Sequence, residues 1–132
     1  MKIKKLINIA PFFISSFLLI CCNNSSVNDF DEETNKLRKE SQETIQKFLN
    51  ENADKLFEHE LSKSIDSISK IYVLDKNKEL ALRFIETKKG IERINYLKEY
   101  ISKQELTLIL KKIPPRYVND SNYISIKRYI NE

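Results

Sequence analysis

From Phe30 to about Tyr72 the chain contains neither glycine nor proline, and apolar side chains recur at Leu37, Ile45, Phe48, Leu49, Leu56, Phe57, Leu61, Ile65, Ile68 and Ile71. Most of these intervals are three, four, seven or eight residues, which places the side chains on one stripe of a helix and not on alternate faces of a strand. Asp29, Asp31, Glu32 and Glu33 crowd the beginning, where carboxylates complement the positive end of a helix dipole. The stretch predicts one long helix or two nearly collinear ones, dividing near Glu60 to Ser64. Its uneven register suits a helical bundle better than a coiled coil.

The remainder of the chain is punctuated. Asp75 to Asn77 offers N-cap candidates ahead of Glu79-Leu80-Ala81-Leu82-Arg83-Phe84-Ile85, and Gly90, the single glycine, follows Lys88-Lys89. A glycine after basic residues matches the left-handed C′ position of a helix end, with Ile91 packing back across the cap. A further helix carries Ile91, Ile94, Leu97, Tyr100 and Ile101. Ser102 and Glu105 have capping-box spacing, opening a helix through Leu106, Ile109 and Leu110. Pro114-Pro115 stops that helix, because proline donates no hydrogen bond and pushes the preceding residue out of the α region. Tyr123, Ile126 and Ile130 are spaced for a last helix, although Tyr123 to Ile126 alone also fits a short strand. The expected fold class is therefore all-α, a small bundle of about four to five helices over residues 30–132. Phe48, Leu56, Ile68, Phe84, Ile94, Ile101, Leu106 and Ile109 are its expected inward-facing residues.

Ahead of this domain, Lys2, Lys4 and Lys5 precede an apolar run from Leu6 to Ile20. Basic residues before an apolar segment of this length make a secretory signal, since the run, interrupted by Asn8 and Pro11, falls short of the roughly 20 apolar residues of a spanning helix. The run ends Leu18-Leu19-Ile20-Cys21-Cys22-Asn23, which resembles the lipobox of bacterial lipoproteins, where a leucine stands three positions before a cysteine that is lipidated and becomes the mature N-terminus. Cys22 as acceptor puts Leu19 at the −3 position and the small Cys21 at −1; the alternative, Cys21, puts the bulky Ile20 there. With an Asn/Ser tether and a Lys-, Ile- and Asn-rich chain behind it, the segment resembles the surface lipoproteins of Borrelia-type spirochaetes. The resemblance implies a signal peptide over 1–21, a lipidated terminus and tether over 22–29, attachment to the cell envelope, and display on the outer membrane surface in preference to the periplasmic face. It carries no catalytic residue with it.

Composition removes several function classes. The whole chain has 23 basic and 19 acidic side chains, but the three lysines of the signal account for most of the excess. A mature chain near neutrality lacks the clustered charge that displaces counterions from nucleic acid, so no nucleic-acid partner is expected. Charge is nevertheless uneven, with 11 acids and 6 bases in residues 28–66 against 8 acids and 14 bases in residues 67–132. Beyond Cys22 there is no cysteine, so no disulfide staples the domain and packing alone must hold it.

His59 is the only histidine. In His59-Glu60-Leu61-Ser62-Lys63 a lysine stands where a zinc-protease helix needs its second imidazole, so the segment reads as a solvated helix face and no metal is expected. With one histidine, no mature cysteine and a single glycine, the chain also lacks a base–nucleophile pair and a phosphate-cradling loop. Neither enzyme activity nor a cofactor is expected. What remains is an interaction surface. Tyr96, Tyr100, Tyr117, Tyr123 and Tyr129 lie in the last 37 residues, together with Arg116, Arg128 and several lysines and close to Arg93. Tyr and Arg are enriched where proteins meet, although tyrosines also close bundle cores with their hydroxyls at the rim. Arg116, Tyr117, Tyr123 and Arg128, beside the stiff Pro114-Pro115 turn, are the candidate partner-binding residues. The expected function is that of a lipid-anchored envelope protein binding another macromolecule, a host protein if it is displayed outward; the alternative is a periplasm-facing structural, assembly or immunity lipoprotein.

Overall fold

A computed structural model describes residues 27–132, and Cys21, Cys22 and the whole of the expected signal lie outside the described residues. Within them the chain is all-α. Its helices are α1 (Val27–Asn52), α2 (Glu58–Lys70), α3 (Asn77–Arg83), α4 (Lys88–Leu97), α5 (Lys103–Leu110) and α6 (Ser121–Asn131). A π-helical segment, Ile71–Lys76, joins α2 to α3 without interruption, so the six α-helices make five rods. No strand occurs among the described residues, which settles Tyr123 to Ile126 as helix. Val27 to Asp29, placed by sequence in the tether, already belong to α1.

The long apolar stripe does not form collinear helices. The chain turns at Ala53 to Phe57, earlier than Glu60 to Ser64, and doubles back as an antiparallel hairpin. Two contacts fix its register, a hydrogen bond of 2.9 Å between Tyr72 and Thr44 and the Arg83–Glu33 pair at 2.9 Å, while Lys89 of α4 meets Asp31 at 2.7 Å and ties the base of the hairpin to the next helix. At the tip, Glu60 accepts from the Phe57 N–H at 3.0 Å and so caps α2 from within its own first turn. Folding back lets the two stripes face each other, whereas collinear helices would leave both in water. The burial is only partial. Phe48, Leu56 and Ile68, expected inside, are half-buried, whereas Phe30 near the start of α1 is fully enclosed.

The principal core lies in the second half. Ala81 and Ile85 meet Ile91, Ile94 and Leu97 of α4, Ile101 beyond it, Leu106 and Ile109 of α5, Ile113, and Ile126 of α6. A second cluster joins Phe30, Leu80 and Phe84, with Leu37 against it, and ties the base of the hairpin to the core. Phe30 and Phe84 meet edge to face, ring centres 5.3 Å apart, the arrangement their quadrupoles favour. A polar seam runs alongside the apolar one between α4 and α6. Lys98 donates to Asn95 at 3.1 Å and Ser125 at 2.8 Å, and Asn95 donates to Asn122 at 3.0 Å.

Gly90 has a different role from the helix end its surroundings suggested. It is the third residue of α4, its φ is negative, and its N–H donates to the Thr87 hydroxyl that caps the helix at 3.2 Å. A Cβ at this position would stand 2.0 Å from the Phe84 carbonyl oxygen and 3.0 Å from that of Ala81. The glycine is required because two backbones touch there. Asp75 to Asn77 likewise cap no free helix end, since the π segment runs directly into α3; the Asn77 amide instead donates back to the Tyr72 carbonyl at 2.9 Å. Ser102 caps α5 as its spacing indicates, accepting from the Glu105 N–H at 3.2 Å, but the Glu105 carboxylate turns to Lys78 at 3.0 Å and does not complete a capping box.

Candidate functional site: an aromatic ledge on the π segment

A π-helix adds a residue to each turn and rotates every side chain that follows relative to those before, at a cost in backbone geometry that is usually retained for a reason. Here the rotation divides four consecutive residues between separate surroundings. Tyr72 turns to α1 and Leu74 to the main core, while Ile71 and Val73 are left exposed. Across from Val73, the outer face of α4 and the 3-10 turn after it carry Tyr96 and Tyr100, which are 75% and 69% exposed. The exposure follows from helical spacing: Ile91, Ile94 and Leu97 take the inner face of α4, so Tyr96 must point away from it.

Between these elements lies a shallow, mainly apolar groove of about 300 Å³, walled by Val73, Leu74, Tyr96, Leu97 and Tyr100 with Asp66, Ser69 and Lys70 at its edge. Large apolar or amphipathic side chains gathered at one exposed spot, with charges only at the rim, have the composition of a protein-contact patch. A larger cleft of about 530 Å³ between α1 and α3 is lined by Glu33, Lys36, Glu40, Lys76, Glu79 and Arg83, whose charges include the Arg83–Glu33 and Lys76–Glu79 pairs. Leu37, Leu80 and Leu82 make its floor mainly apolar, while the charges around it are largely paired with one another.

Arg93 borders the ledge. Its guanidinium lies 5.2 Å from the centre of the Phe30 ring and donates to the Asn77 side-chain oxygen. Partial burial lowers its affinity for the proton below the ordinary arginine value, against the opposing charge of Glu92. It remains a cation, as arginine does throughout the range in which proteins fold.

The four residues singled out from sequence divide in their surroundings. Tyr117 and Tyr123 are half-buried against the main core, which is the rim position open to a bundle tyrosine. Arg116 and Arg128 are exposed. Arg116 is already engaged, donating to the Glu86 carbonyl at 2.8 Å and lying 5.0 Å from the centre of the Tyr117 ring. This pair therefore stitches the turn after α5 to the loop before α4. Tyr129 also packs on the core, with Lys103 5.5 Å from its ring centre. The more accessible aromatic area is at Tyr96 and Tyr100, members of the same tyrosine-rich half whose exposure could be seen only by assigning α4 its inner face. His59 stacks on Phe57 at the hairpin tip, ring centres 6.1 Å apart. Among the described residues no group of three or more His, Cys, Asp or Glu is arranged to hold a metal ion, and no helix is long and apolar enough to cross a membrane.

No protein-family model matches the chain, and no curated protein or solved structure is significantly similar to it. The functional reading rests on the residues themselves.

Proposed function

We propose that this is a lipid-anchored protein of the bacterial cell envelope whose helical domain binds another protein through the ledge of Val73, Tyr96 and Tyr100. The anchoring half of the reading is supported by the sequence Leu19-Ile20-Cys21-Cys22 after a basic and apolar leader, with Cys22 as the acylated residue. The observation that carries the binding half is the exposure of Tyr96 and Tyr100 beside an apolar groove, since two large aromatic side chains held on a packed helix and its following turn lose little conformational freedom when a partner covers them. Cys22 and Val27, where α1 begins, are five residues apart and span at most about 18 Å of extended chain. An anchor at Cys22 therefore keeps the domain beside the membrane, on whichever face it is displayed.

The test uses intact cells and the full-length chain. Metabolic labelling with palmitate should mark the wild-type protein and not Cys22→Ala, and external protease should remove the domain from intact cells. A labelled but protected protein would favour the periplasm-facing structural or immunity role instead. Against a partner captured by the wild-type chain, Tyr96→Ser with Tyr100→Ser should weaken binding by tenfold or more, the scale of aromatic hot spots. Equal binding by the double variant would remove the ledge as the contact surface.

A further inference from the structure

On the other side of Val73 from the aromatic groove is a second cleft, of about 280 Å³, between α1 and the π segment. The α1 wall is Thr34, Leu37, Arg38, Ser41 and Gln42, one face of a helix by their spacing of three and four. Tyr72, Val73 and Asn77 form the opposite wall, and Arg93 reaches in from α4. No aspartate or glutamate lines it. Two arginines, Arg93 half-buried and Arg38 exposed, therefore line one cleft with neutral hydrogen-bonding side chains and no carboxylate.

That arrangement is unusual for a chain in which acids and bases are nearly balanced. Among the described residues neither Arg38 nor Arg93 makes an ion pair, although Arg83, Lys76, Lys78 and Lys89 all find carboxylates. The acids nearest Arg93, Asp31 and Glu92, line an adjoining cleft that Arg93, Asn77 and Val73 also border; neither forms an ion pair with Arg93, and Asp31 is occupied by Lys89 at 2.7 Å. Arg93 is also held in place. Its guanidinium is packed over Phe30 and bonded to Asn77, which is in turn pinned by its amide to the Tyr72 carbonyl within the π segment. An arginine fixed in this way has already lost most of its side-chain freedom, and its planar fork presents the remaining N–H groups in the geometry that carboxylate and phosphate oxygens accept. Burial is the main influence against the protonated Arg93 and the like charge of Arg38 adds to it, while Glu92 and Asp31 offset part of both. An anion between them would replace that repulsion with two attractions.

We propose that this cleft binds an oxyanion, a carboxylate or a phosphate monoester, between Arg38 and Arg93. Asn77 and the π turn fix Arg93, while Arg38, exposed on α1, closes over the ligand from the other wall. Ser41 and Gln42 supply further donors. The volume admits a single charged head group and not a nucleotide or sugar chain, for which ligand sites are commonly several hundred Å³. The site shares Val73 with the aromatic groove but neither arginine, so substitutions at Arg38 or at Tyr96 test the two surfaces separately.

The experiment follows the arginine Nε–H and asparagine amide signals of the full-length, isotope-labelled chain in non-ionic detergent by NMR, titrating inorganic phosphate or acetate against sodium chloride at matched ionic strength. The expected result is a saturable shift of the Arg93 and Asn77 signals with phosphate, acetate or both, absent with chloride; which anion saturates first decides between the two head groups. Arg38→Gln should raise the midpoint at least tenfold, and Gln42→Glu, which puts a carboxylate into the cleft, should abolish saturation. Both positions are exposed on α1, so unchanged melting temperatures will show that the fold is intact. Shifts that grow linearly and equal those in chloride, or an Arg38→Gln titration that overlays the wild type, would overturn the proposal.

Discussion

Replacing Gly90 by alanine isolates the contact between α3 and α4. In an ordinary helix interior this change stabilises by roughly 0.5–1 kcal/mol, because alanine has less backbone entropy to lose. Here the new methyl would sit 2.0 Å from the Phe84 carbonyl oxygen and 2.5 Å from its carbon, and neither is the end of a flexible side chain that could swing aside. Relief requires α4 to move away from the end of α3, loosening Ile91 and Ile94, both fully buried against that surface. Overpacking of a well-filled core typically costs about 1–3 kcal/mol, and a clash with backbone belongs at or beyond the upper end. After the propensity gain is subtracted, a net loss of about 2 kcal/mol or more is expected. For a domain of this size that lowers the melting temperature by roughly 8–16 °C. Thermal unfolding followed by circular dichroism at 222 nm measures it, with Glu92→Ala on the exposed face of the same helix as a control that should stay within about 0.5 kcal/mol. A Gly90→Ala protein that melts with or above the wild type would refute the close approach and restore the helix-end role for this glycine.

Three further outcomes follow from the same packing. Thr87→Ala removes the hydroxyl that accepts from the Gly90 N–H and donates to the Phe84 carbonyl at 2.8 Å, and should lower stability by about 1 kcal/mol in urea titration. Ile94→Ala should lose about 2–5 kcal/mol and Phe48→Ala less than the 3–5 kcal/mol of an enclosed aromatic, because Ile94 is fully buried and Phe48 only half; the reverse order would place the core in the hairpin. Removing Asp31, whose pair with Lys89 is partly exposed, should change stability by no more than about 1 kcal/mol and become undetectable in high salt.

Fold class was legible because local and global signals agree over most of the chain. The helical spacing of Ile91, Ile94 and Leu97, the Ser102 cap, the double proline after α5 and the spacing of Tyr123, Ile126 and Ile130 each correspond to what the structure contains. The failures share one cause. Where a residue has both a local use and a tertiary one, sequence displays only the local use. Gly90 after two lysines has the pattern of a helix end, and nothing in its neighbours indicates that the Phe84 backbone passes 2.0 Å from its missing Cβ. Asn77 has the pattern of an N-cap until Arg93, sixteen residues on, engages its side-chain oxygen and leaves its amide for Tyr72. The hairpin was missed for the related reason that no glycine or proline marks it. Ala53 to Phe57 turn because the stripes on α1 and α2 gain by facing each other, a long-range effect with no local signature.

The same reasoning separates the two groups of tyrosines. Sequence placed five of them in one half of the chain without ranking their exposure. Burial does so through the helix each occupies: α6 has only one face for the core, and Tyr123, Ile126 and Tyr129 share it, so their rings are largely spent on stability. Tyr96 leaves the helix opposite Ile94, and Tyr100 follows in a 3-10 turn that ends before Ile101 returns to the core. Neither ring is needed to close the bundle. In a small domain without a disulfide, whose stability must come from packing, two exposed tyrosines beside an exposed valine contribute little to folding. Their placement against a π segment that both exposes Val73 and positions Asn77 under Arg93 joins the two candidate surfaces through one backbone feature. Restoring regular α-helix by deleting Val73 would disturb the ledge and the arginine cleft together, whereas substitutions at Tyr96 or Arg38 should affect one and spare the other.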